Sequence, residues 1–189
     1  MKTLIFLTIS LSIFFSCNTN NREEIKNKPL SQTELVERGS YLVNTIGCAD
    51  CHSPKSFGPS GPMIDPNTNF GGHIDGDMTD IVDKQALNNW VLFNMSNTAA
   101  VGPWGISYAA NISSDATGIG NWTEEQFFMA MREGQFKGVK DSRKLLPPMP
   151  WQNYSQMTDE DLRAIFAFLK STKPVKNAVP AATSLELLK

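Results

Sequence analysis

Three stretches of the chain carry apolar residues at helical spacing between recognisable start and stop signals. The first opens at Ser31, with Glu34 three positions on in a capping-box arrangement, and Leu35, Leu42, Val43 and Ile46 give it an apolar stripe. Gly39 sits in its interior at a cost of about 1 kcal/mol relative to Ala, and a small residue there lets another helix cross closely. The second runs from Thr123 to about Glu133, with Gln126 completing the cap and Gly134 ending it; Phe127, Phe128, Ala130 and Met131 form its apolar side. In the third, Thr158 caps a turn of Asp159, Glu160 and Asp161. Leu162, Ile165, Phe166 and Leu169 then repeat at i, i+3, i+4 and i+7, Lys170 and Lys173 lie near the negative end, and Pro174 forbids continuation. No alternating strand pattern stands out, so the expected class is all-α with long loops. Residues 53–122 read as a Gly-, Pro- and Asn-rich loop region with a short helix near Asp83 to Phe93.

The front of the chain follows a different pattern. Lys2 precedes an apolar run from Leu4 to Phe15 that is too short to cross a bilayer comfortably, and small Ser16 leads into Cys17. Residues 1–16 read as an export signal, with an uncleaved membrane anchor as the alternative. The ending Phe14-Phe15-Ser16-Cys17 resembles the lipobox of bacterial lipoproteins, with Phe14 in place of the usual Leu, and implies an acylated N-terminal Cys17. The polar stretch after Cys17 cannot bury enough surface to fold and reads as a tether over 17–30. A domain over 31–172 and a C-terminal tail over 173–189 follow. On this reading the domain works outside the cytoplasm, in the periplasm or cell envelope of a bacterium, held to a membrane by lipid.

Composition narrows the chemistry. Across 189 residues, 17 basic and 19 acidic side chains leave a net charge of −2, which gives no electrostatic case for nucleic acid. With three cysteines and two histidines, a closed zinc site would need nearly all of them together, and a disulfide scaffold would want more. Cys48-Ala49-Asp50-Cys51-His52 is the attachment signature for c-type haem. On a helical turn, i and i+3 share a face, so both sulfurs can reach the two vinyl groups on one porphyrin edge while His52 turns its imidazole to the iron. A thioredoxin-like pair would want a βαβ setting, and no strand pattern precedes Cys48.

The sixth iron ligand separates a carrier from a catalyst. Of eight methionines, Met129 and Met131 lie in a helix pattern as core filler, and Met63, Met78 and Met95 fall early in the loop region. Met149 stands in Leu146-Pro147-Pro148-Met149-Pro150-Trp151, where flanking prolines restrict the backbone, and is the favoured ligand. His73, in Gly71-Gly72-His73, is the competitor, and its ligation would lower the potential. The acidic run Asp75, Asp77, Asp80 and Asp83 does not fit the EF-hand calcium template and reads as a solvated loop.

With these residues in hand, the chain resembles a class I c-type cytochrome, and more narrowly the haem modules of cytochrome subunits of membrane-bound bacterial alcohol and aldehyde dehydrogenases. The resemblance rests on Arg38-Gly39-Ser40-Tyr41-Leu42-Val43 leading into Cys48–His52, then Asn111-Ile112-Ser113-Ser114-Asp115 and Thr117-Gly118-Ile119-Gly120-Asn121-Trp122-Thr123. Arg132-Glu133-Gly134, the segment around Met149, Tyr154 and Asp159-Glu160-Asp161-Leu162 complete it. It implies a cytochrome c-like helical domain around one covalent haem c on Cys48 and Cys51, iron ligated by His52 and Met149, and electron transfer. It further implies an electron carrier rather than an enzyme, working between redox proteins such as a dehydrogenase donor and an oxidase or cytochrome acceptor. One haem signature stands where those subunits often carry three. A peroxidase-like enzyme or a gas-sensing haem protein is the alternative, and either would need an open iron site.

Overall fold

A computed structural model describes residues 28–80 and 85–188, and Ser31–Lys189 forms one folding unit. The expected signal, Cys17, most of the tether and Asp83 lie outside the described residues. In chain order the elements are α1 (Gln32–Thr45), α2 (Cys48–His52), β1 (Lys55–Gly58), β2 (Gly61–Ile64), β3 (Leu92–Phe93), β4 (Ala99–Gly102), β5 (Gly105–Tyr108), α3 (Glu124–Glu133), α4 (Trp151–Tyr154) and α5 (Asp159–Ser171).

The three long helices start where their caps place them. At α1, Ser31 N–H donates to Glu34 at 2.8 Å while the Ser31 hydroxyl accepts from Glu34 N–H. Thr123 and Gln126 make the reciprocal pair at α3, and Thr158 accepts from Asp161 N–H at 3.1 Å at α5. Each helix then buries the stripe seen in the sequence. Val43 of α1, Phe127 and Met131 of α3, and Leu162, Ile165 and Leu169 of α5 form one core with Phe70 and Ile119. Gly39 marks the crossing of α1 and α5, since a Cβ there would lie 1.9 Å from the Ala164 carbonyl oxygen. Arg38 reaches Asp161 across the same crossing at 2.6 Å.

The all-α expectation is overturned by two antiparallel sheets, and the class is mixed α and β, with 35% helical and 13% strand residues. β1 pairs with β2 through Gly58 opposite Gly61; β3, β4 and β5 form a three-stranded sheet in which Gly102 faces Gly105. The physical reason lies in where these strands sit. β1 and β2 are half-buried or exposed along their whole length, while all four residues of β4 are buried, so neither shows the alternation of a one-faced strand. The legible signal was in the turns: Gly58-Pro59-Ser60-Gly61 and Gly102-Pro103-Trp104-Gly105 are both Gly-Pro-x-Gly, with proline preset for a tight turn. Where a helix was expected near Asp83 to Phe93, Ala86–Asn88 is a single 3-10 turn and Leu92–Phe93 is a strand, residues 81–84 being outside the description. A second, smaller core of Val101, Ile106 and Leu188 lies on the larger sheet.

Candidate functional site

The Cys-x-x-Cys-His segment is helix α2, a little over one turn. It begins after Gly47, whose φ of 75° suits glycine; a Cβ there would meet the Asp50 carboxylate at 2.5 Å. The helical turn places both sulfurs on one side, with Cys48 packed at the edge of the main core and Cys51 within 3.7 Å of the Asn97 amide nitrogen. Neither is in a disulfide. Burial pushes Cys48 up to about 11 and raises Cys51 as well. A dithiol redox centre needs the opposite, a thiol lowered towards neutrality. Among the described residues, no group of three or more His, Cys, Asp or Glu side chains is placed to hold a metal ion by itself.

His52 is held from behind. Its Nδ1 lies 2.7 Å from the Ala110 carbonyl oxygen. A carbonyl only accepts, so Nδ1 carries the proton and the Nε2 lone pair is left to ligate. Burial lowers the imidazole's affinity for a proton, opposed by the Ala110 bond and assisted by the Lys55 charge, so the ring is neutral at pH 7, the form a metal requires. The backbone is pinned too: Gly72 N–H donates to the His52 carbonyl at 2.8 Å, and His73 N–H to the Ala109 carbonyl at 3.0 Å. Residues 70–73 and 109–113 thus run together along the histidine side of α2.

Lys55 closes the end of α2. Its ammonium donates to the carbonyls of Ala49 (3.2 Å), Asp50 and Ser53 (3.1 Å), and reaches that of Ser96 at 3.4 Å. A cation at the negative end of a helix is favourable, and this one also joins α2 to the turn between β3 and β4. Asn97 donates to the Asp50 carbonyl from that same turn at 2.8 Å.

Met149 is half-buried and packs on the same core cluster as Cys48 and Tyr154. The Tyr154 phenol is raised by burial first, and then by the charges that Cys48, Cys51 and Asp50 can carry, so the segment after Met149 lies against the α2 motif. Met131 is core, as its helix position implied, whereas Met63 and Met95 are exposed at 50% and 79%. His73 is fully buried and serves the loops. Its Nε2 lies 2.8 Å from the Gly76 carbonyl and its Nδ1 2.8 Å from the Thr98 hydroxyl, so both ring nitrogens are engaged. Asp75 accepts from Asn94 and Ser96, and Asp77 from Tyr108, so these carboxylates brace the loop region.

Several residues at the site were not singled out by sequence reading: Lys55, Asn97 and the backbone of Ala110. A lysine three positions after the histidine is a visible helix-end signal. A carbonyl oxygen, by contrast, has no side chain to announce it.

No protein-family model matches the chain. It is 40% identical over 144 residues to the cytochrome c subunit of a quinone-linked alcohol dehydrogenase from Gluconobacter oxydans, covering 75% of this chain and 22% of that protein. It is 31% identical over 147 residues to the fructose dehydrogenase cytochrome subunit of Gluconobacter japonicus, covering 77% and 23%. The gluconate 2-dehydrogenase cytochrome c subunit of Pantoea cypripedii is 30% identical over 146 residues, covering 76% and 25%. The chain therefore spans about a quarter of the length of these relatives.

Proposed function

Because this chain is homologous to the cytochrome c subunits of bacterial dehydrogenases, we propose that it is a monohaem c-type electron-transfer protein. Its haem is attached through Cys48 and Cys51, with iron ligated by His52 and Met149. The residues fit such a group. Two protonated thiols share one side of α2, a neutral imidazole has its second nitrogen committed to Ala110, and a thioether packs on the core that Cys48 borders. When bound, the haem supplies one-electron exchange between ferrous and ferric iron. The chain's own residues hold the imidazole in one tautomer, confine the thioether between prolines and exclude water with the α1–α3–α5 core. The observation that carries the reading is the 2.7 Å bond from His52 to Ala110 at the end of the Cys-x-x-Cys pair. A dehydrogenase is the natural electron donor, given what the relatives are subunits of, with an oxidase or another cytochrome as acceptor. Acylation at Cys17 and residence in the cell envelope belong to the same proposal.

A peroxidase or gas sensor needs an open sixth position, and Met149 argues against both. The test is the optical spectrum of the purified protein with and without carbon monoxide, alongside its mass. We expect one added haem mass, a six-coordinate low-spin spectrum in both redox states and no carbon monoxide binding. Met149→Ala should open the iron to carbon monoxide and lower the midpoint potential. Unmodified Cys48 and Cys51 in native material would sink the haem reading, and a variant indistinguishable from wild type would remove Met149 from it.

A further inference from the structure

The strand β5 touches both halves of the proposed iron site. Two residues past its end, the Ala110 carbonyl accepts a hydrogen bond from His52 Nδ1 at 2.7 Å. Three residues earlier, the buried Ser107 hydroxyl lies 2.5 Å from the carbonyl oxygen of Pro147, two positions before Met149. That hydroxyl has a defined direction. Its own strand partner, the Ala100 carbonyl, is farther at 3.3 Å, and the indole N–H of Trp104 donates to the serine oxygen at 3.2 Å. A hydroxyl has one proton to give, so Trp104 supplies its acceptor bond and Pro147 receives the donor bond.

The loop bearing Met149 is tied to the end of α3 by the Leu145 N–H, which donates to the Gly134 carbonyl at 2.6 Å. Nearer the thioether, Met149 N–H donates to the Leu146 carbonyl at 3.3 Å, a contact internal to the loop. The Ser107 bond instead ties the loop to a strand braced on both sides, by β4 and by the bridge from Ile106 to Thr183.

We propose that Ser107 is a positioning residue for the sixth iron ligand. By fixing the Pro147 carbonyl it keeps the Met149 thioether in place, and Ser107 and Ala110 together would position the two proposed ligand residues from one segment. This rests on the reading of Met149 as ligand, and the experiment separates the two.

Imidazole binding to the ferric protein reports how often the thioether leaves the iron, because the incoming ligand needs the vacated position. The comparison is between wild type, Ser107→Ala, Ser107→Thr, Trp104→Phe and Met149→Ala, each with thermal unfolding alongside. A net hydrogen bond is worth a factor of about 2 to 10 in an opening equilibrium, so Ser107→Ala should speed imidazole binding by about that factor. Ser107→Thr, which keeps the hydroxyl, should stay near wild type. Trp104→Phe, which removes the N–H that orients the hydroxyl, should move binding in the same direction by less. Met149→Ala should exceed them all. If Met149→Ala accelerates binding while Ser107→Ala lowers only the melting temperature, Ser107 is structural and the proposal is overturned. If Ser107→Ala fails to fold, Trp104→Phe decides, and wild-type binding in that variant overturns it. Wild-type binding in Met149→Ala removes the ligand reading and the positioning role with it.

Discussion

At the scale of single residues, the site is built from groups whose protonation is set by burial. His52 is buried neutral, and Cys48 is buried as a thiol pushed up to about 11. Their signs oppose each other. A histidine whose folded affinity for protons is lowered costs stability as pH falls through its ordinary value of 6.5, because only the unfolded chain takes up the proton. A thiol raised from 9.0 to about 11 costs stability as pH rises across that interval, because only the unfolded chain ionises. The urea midpoint of the haem-free chain should therefore be highest between about pH 7 and 9. Stability should fall on both sides, by about 3 kcal/mol on the alkaline one. Cys48→Ser should flatten most of the alkaline limb and leave the acid limb; an unchanged alkaline limb contradicts the assignment. The motif itself was readable from five letters of sequence. The partner of His52 was not, because any residue can present a backbone carbonyl and Ala110 carries no mark of doing so.

At the scale of elements, the helices were legible and the strands were not. Caps at Ser31, Thr123 and Thr158 are side-chain chemistry written directly in the sequence, and the structure uses all three. The strands are short and either exposed or buried on both faces, so period-2 patterning never had the length to appear. Gly39 shows how an element-level contact can rest on one position. Gly39→Ala should gain about 1 kcal/mol of helix propensity but force a methyl into the Ala164 carbonyl 1.9 Å away. Overpacking against backbone in a tight crossing costs about 3 kcal/mol or more, so the net effect is a loss. Thermal unfolding of the purified protein should show a drop of several degrees, and an unchanged or raised melting temperature would mean that α1 and α5 can part without penalty.

At the scale of the whole molecule, the stretch read as a C-terminal tail takes part in the fold. Val175 is buried, and its carbonyl accepts from Asn111 at 2.7 Å. The Asn177 amide donates to the carbonyls of Gly71 (2.8 Å) and His73 (2.7 Å). These bonds strap residues 70–73 and 109–113, the two segments that hold His52. The short run Val175-Lys176-Asn177-Ala178-Val179 between two prolines gives no sign of this, because the bonds come from single asparagine side chains with no periodicity. Asn177→Ala strands two partly buried carbonyls and should cost about 2 kcal/mol. Hydrogen exchange at Gly72, whose N–H holds the His52 carbonyl, should quicken with it, and unaltered exchange there would show the strap to be dispensable. The pairing of α1 with α5 carries a consequence in time. Arg38 and Asp161, which meet across it, are 123 residues apart. At roughly 5–20 residues per second, the ribosome delivers the second about 6–25 s after the first. The two cysteines of α2 thus wait through most of that interval on an unfinished chain, until the helix that completes the pairing has been made.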